Sequence, residues 1–371
     1  MKINDIIGLL QQIAPLAYAE DFDNTGLLVG NGDREVTGIL VTLDTLEAVV
    51  DEAVKKECNF IVSFHPIIFS GLKKLTGRTY VERVIEKAIK NDIAIFAIHT
   101  ALDNQWNGVN AMISEKLKLE NRAILLPKKG SIKKLVTYVP KKEADTVRNA
   151  MFEAGAGNIG NYSNCSFNTE GSGSFNPNED ANPTSGEIGK THFENEVRIE
   201  LTYHKHVEKN VLQALFSSHS YEEVAYEITT LENSNQKLGM GMLGQLSAEV
   251  DEKEFLKHLK DTFGTGCIRH SGFTGKTIRK VAVLGGSGSF AIDAAIAAGA
   301  DVFVTSDLKY HDFFKAEGRI LLADIGHYES EQFTKELIVN ALTKKITNFA
   351  PALPRGGVVL SEINTNPISY Y

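Results

Sequence analysis

Short runs of consecutive apolar residues recur towards both ends of the chain, and each leads into a polar segment with helical periodicity. Ile39-Leu40-Val41-Thr42-Leu43 is followed by a helical pattern from Leu46 to Lys56, then by the run Phe60-Ile61-Val62-Ser63. A third run, Ile93-Ala94-Ile95-Phe96-Ala97-Ile98, comes some thirty residues later. The carboxyl-terminal part repeats the scheme. Val281-Ala282-Val283-Leu284 precedes an Ala-rich helix that ends at Gly299, and Asp301-Val302-Phe303-Val304-Thr305 follows. Ile320-Leu321-Leu322-Ala323 is then broken by Gly326 before a helix over Phe333 to Leu342. Strands apolar on both faces and separated by helices predict buried, parallel α/β structure, in two related halves.

The middle of the chain has another rhythm. It predicts a strand at Lys134 to Tyr138, a helix at Lys141 to Ala154, a strand at Glu196 to Tyr203, a helix at Lys205 to Ser217 and a strand at Tyr226 to Leu231. This is the split βαβ order of ferredoxin-like α+β domains. The polar stretch Gly155 to Gly189, with Gly171-Ser172-Gly173-Ser174 and Asn176-Pro177-Asn178, is read as a loop, either a loose connection or a lid or interface. The expected organisation is a discontinuous α/β domain, 1–130 and 235–371, interrupted by an inserted domain at 131–234. The chain closes with Pro354-Arg355-Gly356-Gly357 and a strand-like Val358 to Glu362.

With 371 residues, 43% of them hydrophobic, the chain can bury enough surface for two or three domains. A net charge of -8 argues against a nucleic-acid or membrane-surface role, and the small cluster Lys128-Lys129 and Lys133-Lys134 reads as a solvated linker. Cys58, Cys165 and Cys267 are widely spaced and form no Cys-x-x-Cys motif, which suits a reducing cytoplasm and excludes a thiolate zinc site. Met1 to Asp5 opens into an amphipathic helix without signal-peptide character, so a cytoplasmic protein is expected.

The candidate chemistry lies at the ends of the apolar runs. His327 and Glu331 are four residues apart at a strand-to-helix junction, so they share a helix face and can grip one metal ion. Taken alone, such a pair is more often a solvated surface pair. The other half repeats the layout, with His99 four residues before Asp103, and one run earlier with His65 after Phe64. Asp307 and His311 follow the run at 301–305. Carboxyl ends of strands are where open α/β sheets place ligands. Mixed imidazole and carboxylate groups suit zinc, manganese or iron(II). Gly285-Gly286-Ser287-Gly288-Ser289 is either a phosphate cradle or a close-packed turn, because it lacks the Lys-Ser/Thr ending of a P-loop.

These residues, together with Glu20-Asp21-Phe22-Asp23-Asn24-Thr25-Gly26-Leu27-Leu28-Val29-Gly30, Ser63-Phe64-His65-Pro66-Ile67-Ile68-Phe69, His99-Thr100-Ala101-Leu102-Asp103, Ser306-Asp307-Leu308-Lys309-Tyr310-His311-Asp312 and Gly326-His327-Tyr328 with Glu331, resemble the Nif-three-like family, the GTP cyclohydrolase 1 type 2 homologs. The stretch Ile159 to Phe167 resembles the PII/CutA-like insert of the longer bacterial members. The resemblance covers essentially the whole chain.

It implies a pair of divalent metals, zinc or else manganese or iron, in a toroidal homohexamer. His65 and Asp103 would serve one metal, His327 the other, and Glu331 would bridge them. The family often has a histidine where this chain has Phe64, so the second metal is expected to be the weaker, with His99 or His311 as candidates to complete it. The implied activity is a metal-dependent hydrolase acting on a nucleotide such as GTP, with Asp307, His311 and His99 as candidate catalytic groups. The alternative is a metal- or metabolite-responsive regulator, since a PII/CutA-like insert is more typical of ligand sensing. Neither reading involves nucleic acid or a membrane.

Overall fold

The computed structural model describes residues 1–349 and 356–371, so Pro354 and Arg355 of the expected closing turn lie outside the described residues. Contacts divide the chain into two units: Met1–Pro127 with Gln236–Tyr371, and Lys128–Asn235.

In the first unit, the amino-terminal half contributes β1 (Gly26–Val29), β2 (Ile39–Thr42), β3 (Phe60–Ser63), β4 (Ala94–Ala97) and β5 (Glu120–Pro127). β2, β3 and β4 are parallel and joined through the helices Glu47–Lys55 and Tyr80–Lys90. Every residue of these three strands is buried. Alternate side chains face opposite ways, so Phe60 and Val62 enter one apolar core while Ile61 enters another. That two-sided burial is why the strands read as unbroken apolar runs.

The second unit contains β6 (Ile132–Pro140), β7 (Phe167–Phe175), β8 (His192–His204) and β9 (Tyr226–Thr230), in the antiparallel sheet order β7-β8-β6-β9. The helices Ala144–Glu153 and Glu208–Ser218 follow β6 and β8. They share a core with Leu135, Val139, Val197, Ile199 and Leu201. β7 corrects the expectation of a continuous loop from Gly155 to Gly189. As a sheet-edge strand it leaves six of its first seven residues exposed, so it has no apolar alternation by which to be read.

Back in the first unit, the carboxyl-terminal half adds β10 (Gly239–Asp251), β11 (Arg269–His270), β12 (Thr277–Ser287), β13 (Val302–Ser306), β14 (Leu321–Asp324) and β15 (Val358–Leu360). The two sheets of this unit run β1-β4-β3-β2-β15 and β11-β14-β13-β12-β10-β5. Each half therefore lends a strand to the other's sheet: β5 pairs with β10, and β15 with β2. One apolar core contains residues of both sheets, including Val41, Val62 and Phe96 with Val283, Val304 and Ala323. The helix Thr334–Phe349 sets Ile338, Leu342 and Ile346 into the same core at four-residue spacing. No helix among the described residues is long and apolar enough to cross a membrane.

Candidate metal centre

The register of the first sheet fixes three of the site's side chains. Thr42 pairs with Ser63, and Ser63 with Ala97. Asp44, His65 and His99 each lie two residues beyond those partners, so they leave the sheet side by side at its carboxyl edge. From the second sheet, Asp307 follows β13 directly. His327 opens the five-residue helix His327–Glu331 three residues after β14. Asp103 ends a matching five-residue helix, His99–Asp103, after β4. Both sheets thus deliver their polar groups to one cavity of about 480 Å³.

At its floor three ligand atoms form a tight triangle. Glu331 Oε2 lies 3.1 Å from His65 Nε2 and 3.1 Å from His327 Nε2, and the two nitrogens are 3.4 Å apart. Glu331 is 3% exposed, and its Oε2 has no hydrogen-bond partner, nor has the buried Oδ1 of Asp103. Buried carboxylate oxygens without partners are costly unless a cation compensates them. The donor set fits a divalent cation. Gly286 makes room for this arrangement: a β-carbon there would collide with Glu331 Oε1, and its φ of +70° favours glycine.

The imidazoles are oriented from behind. His65 Nδ1 donates to Asp44 Oδ1 at 2.8 Å, and Thr365 Oγ1 donates to Asp44 Oδ2 at 2.7 Å. His327 Nδ1 donates to Asp307 at 2.7 Å, and the Ser287 hydroxyl donates to the same carboxylate. His99 Nδ1 donates to Asp23 Oδ1 at 2.8 Å, and the Thr100 hydroxyl donates to Asp23 Oδ2. Each ring thereby has its Nδ1 fixed by an aspartate and its Nε2 left for a further partner, the pattern of carboxylate-supported metal-binding histidines. His99 (φ +26°) and Asp307 (φ +55°) both occupy left-handed backbone at the site.

The electrostatics follow from burial and charge. Burial alone would depress the pKa of His65, but the Glu331 and Asp44 carboxylates outweigh it and hold it at about 10. The same balance, with Glu331 and Asp307, holds His327 at about 11. Burial raises Glu331, yet the two imidazoles override it and its pKa falls well below the carboxylate range. Asp103 goes the other way: burial and the neighbouring Glu331 charge push it well up. Hydrogen bonding from His327 lowers Asp307.

The structure brings together His65, Asp103, His327, Glu331, Asp307 and His99. All but Asp307 line the cavity itself, and Asp307 reaches it through His327. His311 does not line it; that side chain is exposed, with its ring against Tyr310 and Phe314. Phe64 is fully buried and packs edge-on to His99. The start of the glycine run is the close-packed end of β12 rather than a phosphate cradle. Gly285 N donates to Asn110 Oδ1 and Gly286 N to Ser330 Oγ, each at 3.0 Å, so both amides are already taken. His327 and Glu331 are no solvated surface pair. Sequence reasoning missed Asp44 and the role of Asp23; the shared offset of Asp44 and His65 from their strand ends was the available signal.

The profile of a family described as Duf34/NIF3 (NGG1p interacting factor 3) matches residues 1–367. A Bacillus subtilis (strain 168) protein named "GTP cyclohydrolase 1 type 2 homolog" is 41% identical over 368 residues, 98% of this chain and 97% of the relative. A namesake from Staphylococcus aureus (strain MSSA476) is 35% identical over 375 residues, 100% of each. Among solved structures, a Bacillus cereus protein related to NIF3 matches with TM-score 0.85 and 36% identity, over 100% of this chain and 99% of that one. Staphylococcus aureus protein SA1388 matches with TM-score 0.79 and 32% identity, with the same coverage.

Proposed function

The chain belongs to the Duf34/NIF3 family, and from that premise we propose that it is a divalent-metal protein whose centre hydrolyses a nucleotide or related compound. The observation that carries the reading is the triangle of Glu331 Oε2 with the Nε2 atoms of His65 and His327, in a cavity also lined by Asp103, whose buried Oδ1 has no partner. His65 and Asp103 would hold one ion and His327 the other, with Glu331 serving both. Zinc is the leading choice, with manganese and iron(II) as alternatives. When bound, such an ion would supply Lewis-acid polarisation and an acidified water as nucleophile.

The chain's own residues orient and exclude. Asp44 and Asp307 fix the imidazole rings, and buried Phe64, standing where the family often has a histidine, offers no nitrogen to an ion. The second ion is therefore the weaker one. His99, held by Asp23 beside His65, is the favoured extra group; Asp307 is engaged with His327, and His311 lies outside the cavity lining.

The middle unit, with its βαββαβ order, is a ferredoxin-like, PII/CutA-like insert on this reading, and the chain assembles as a homohexamer in the cytoplasm. The three unpaired cysteines are in keeping with that compartment. Light scattering that finds a monomer at micromolar concentration would remove the hexamer. The alternative, a metal- or metabolite-responsive regulator, separates from the enzyme on turnover of a nucleotide and phosphoester panel by metal-reconstituted protein, with Asp103→Ala as control. Turnover that Asp103→Ala abolishes supports the hydrolase; metal binding without turnover of any panel member supports the regulator.

A further inference from the structure

The second unit has a cavity of its own, of about 560 Å³. Val197, Ile199 and Leu201 of β8 pack with the helices, so Glu194, Glu196 and Arg198 point to the opposite face of the sheet. The cavity lies on that face. Glu196 and Tyr138 line it from the strands, and Phe175 and Tyr221 add aromatic walls, their ring centroids 6.0 Å apart and their planes inclined at 62°.

The Glu196 carboxylate is set there by two features. Tyr221 Oη donates to its Oε1 at 2.9 Å, and Gly173 leaves its Oε2 the space that a β-carbon would occupy. Glu222 and Glu223 add further carboxylates, and no lysine, arginine or histidine lines the cavity.

This chemistry selects the ligand class. An anion would meet three carboxylates and no cationic side chain there. A neutral apolar ligand would bury the Glu196 charge with no countercharge, only the Tyr221 hydroxyl beside it. A bare metal ion needs several oxygens converging on one point, and among the described residues the one such cluster is that of His65, His327 and Glu331. A carboxylate in one cavity with the aromatic rings of Phe175 and Tyr221 suits a protonated amine, which pairs with the charge while its body packs on the rings. We propose that this cavity is a binding site for a small organic cation, an ammonium group carried on a flat or aliphatic body.

The test uses the full-length protein and phenethylammonium as probe, followed by calorimetry. Saturable binding at one site per chain is expected, weakened about tenfold or more by Glu196→Gln, which removes the charge but keeps an acceptor for Tyr221. Phenylacetate, the anionic counterpart, should not bind. The variant Glu331→Gln, altered only in the other unit, should bind the probe as the unmodified protein does. Absence of binding, equal binding of phenylacetate, indifference to Glu196→Gln, or loss in Glu331→Gln would each overturn the assignment.

Discussion

His65 Nε2 and His327 Nε2 lie 3.4 Å apart although 262 residues separate them in sequence. Both nitrogens also face one oxygen of Glu331. With each Nδ1 committed to an aspartate, the two rings present their remaining nitrogens to a common point. A metal ion at that point would replace the imidazole protons otherwise held against the Glu331 carboxylate and relieve the close approach of the two nitrogens.

The supporting aspartates should matter nearly as much as the ligands. Asp44→Asn keeps the shape but removes the charge behind His65. Metal affinity is expected to fall about 10- to 100-fold while the fold persists. Competition against a calibrated chelator, with circular dichroism as the folding check, measures both; unchanged affinity would remove the orienting role.

Metal uptake should release protons. In the metal-free protein the pKa values of about 10 for His65 and about 11 for His327 keep both imidazoles charged at neutral pH. A raised pKa means the proton is held until the pH passes that value, so metal must displace it throughout the neutral range. Apparent affinity should therefore rise with pH, by about tenfold per unit for each proton displaced. Calorimetry in buffers of different ionisation enthalpy counts the protons directly. Binding without proton release would contradict the electrostatic account.

Gly286→Ala places a methyl group against Glu331 and strains a backbone at φ +70°. A stability loss of about 1–3 kcal/mol is expected, together with weakened metal binding. Denaturant unfolding of metal-free protein isolates the first effect. Equal stability of variant and parent would show that Glu331 relaxes away without cost.

Phe64→His restores a nitrogen ligand in a fully buried position. The second metal equivalent should bind more tightly, while the metal-free protein loses stability because an imidazole replaces a packed phenyl ring. A stepwise zinc titration separates the two equivalents. An unchanged second step would mean that position 64 does not face the ion.

The parallel strands were legible because burial on both faces makes them continuous apolar runs, and the ligand candidates were legible because they cluster at the ends of those runs. Two features escaped for physical reasons. β7 is a polar edge strand whose pairing partner, β8, supplies the order that its own composition lacks. The exchange of β5 and β15 between sheets depends on long-range pairing that no local period records. Asp23 and Thr365 were hidden for a related reason, since each meets its histidine or aspartate across 76 and 321 positions of sequence. His311 misled because sequence proximity to Asp307 does not survive the turn between them: Asp307 reaches His327, while His311 packs on Tyr310.

The central claim, a metal centre shared through Glu331, is tested most directly by elemental analysis of purified protein beside its Glu331→Ala variant, with anomalous scattering to locate the ion. The unmodified protein should carry one tightly held divalent metal per chain at His65, Asp103 and Glu331, and a second at the His327 side only in excess metal. The variant should carry neither. Equal metal content in the two proteins would contradict the account.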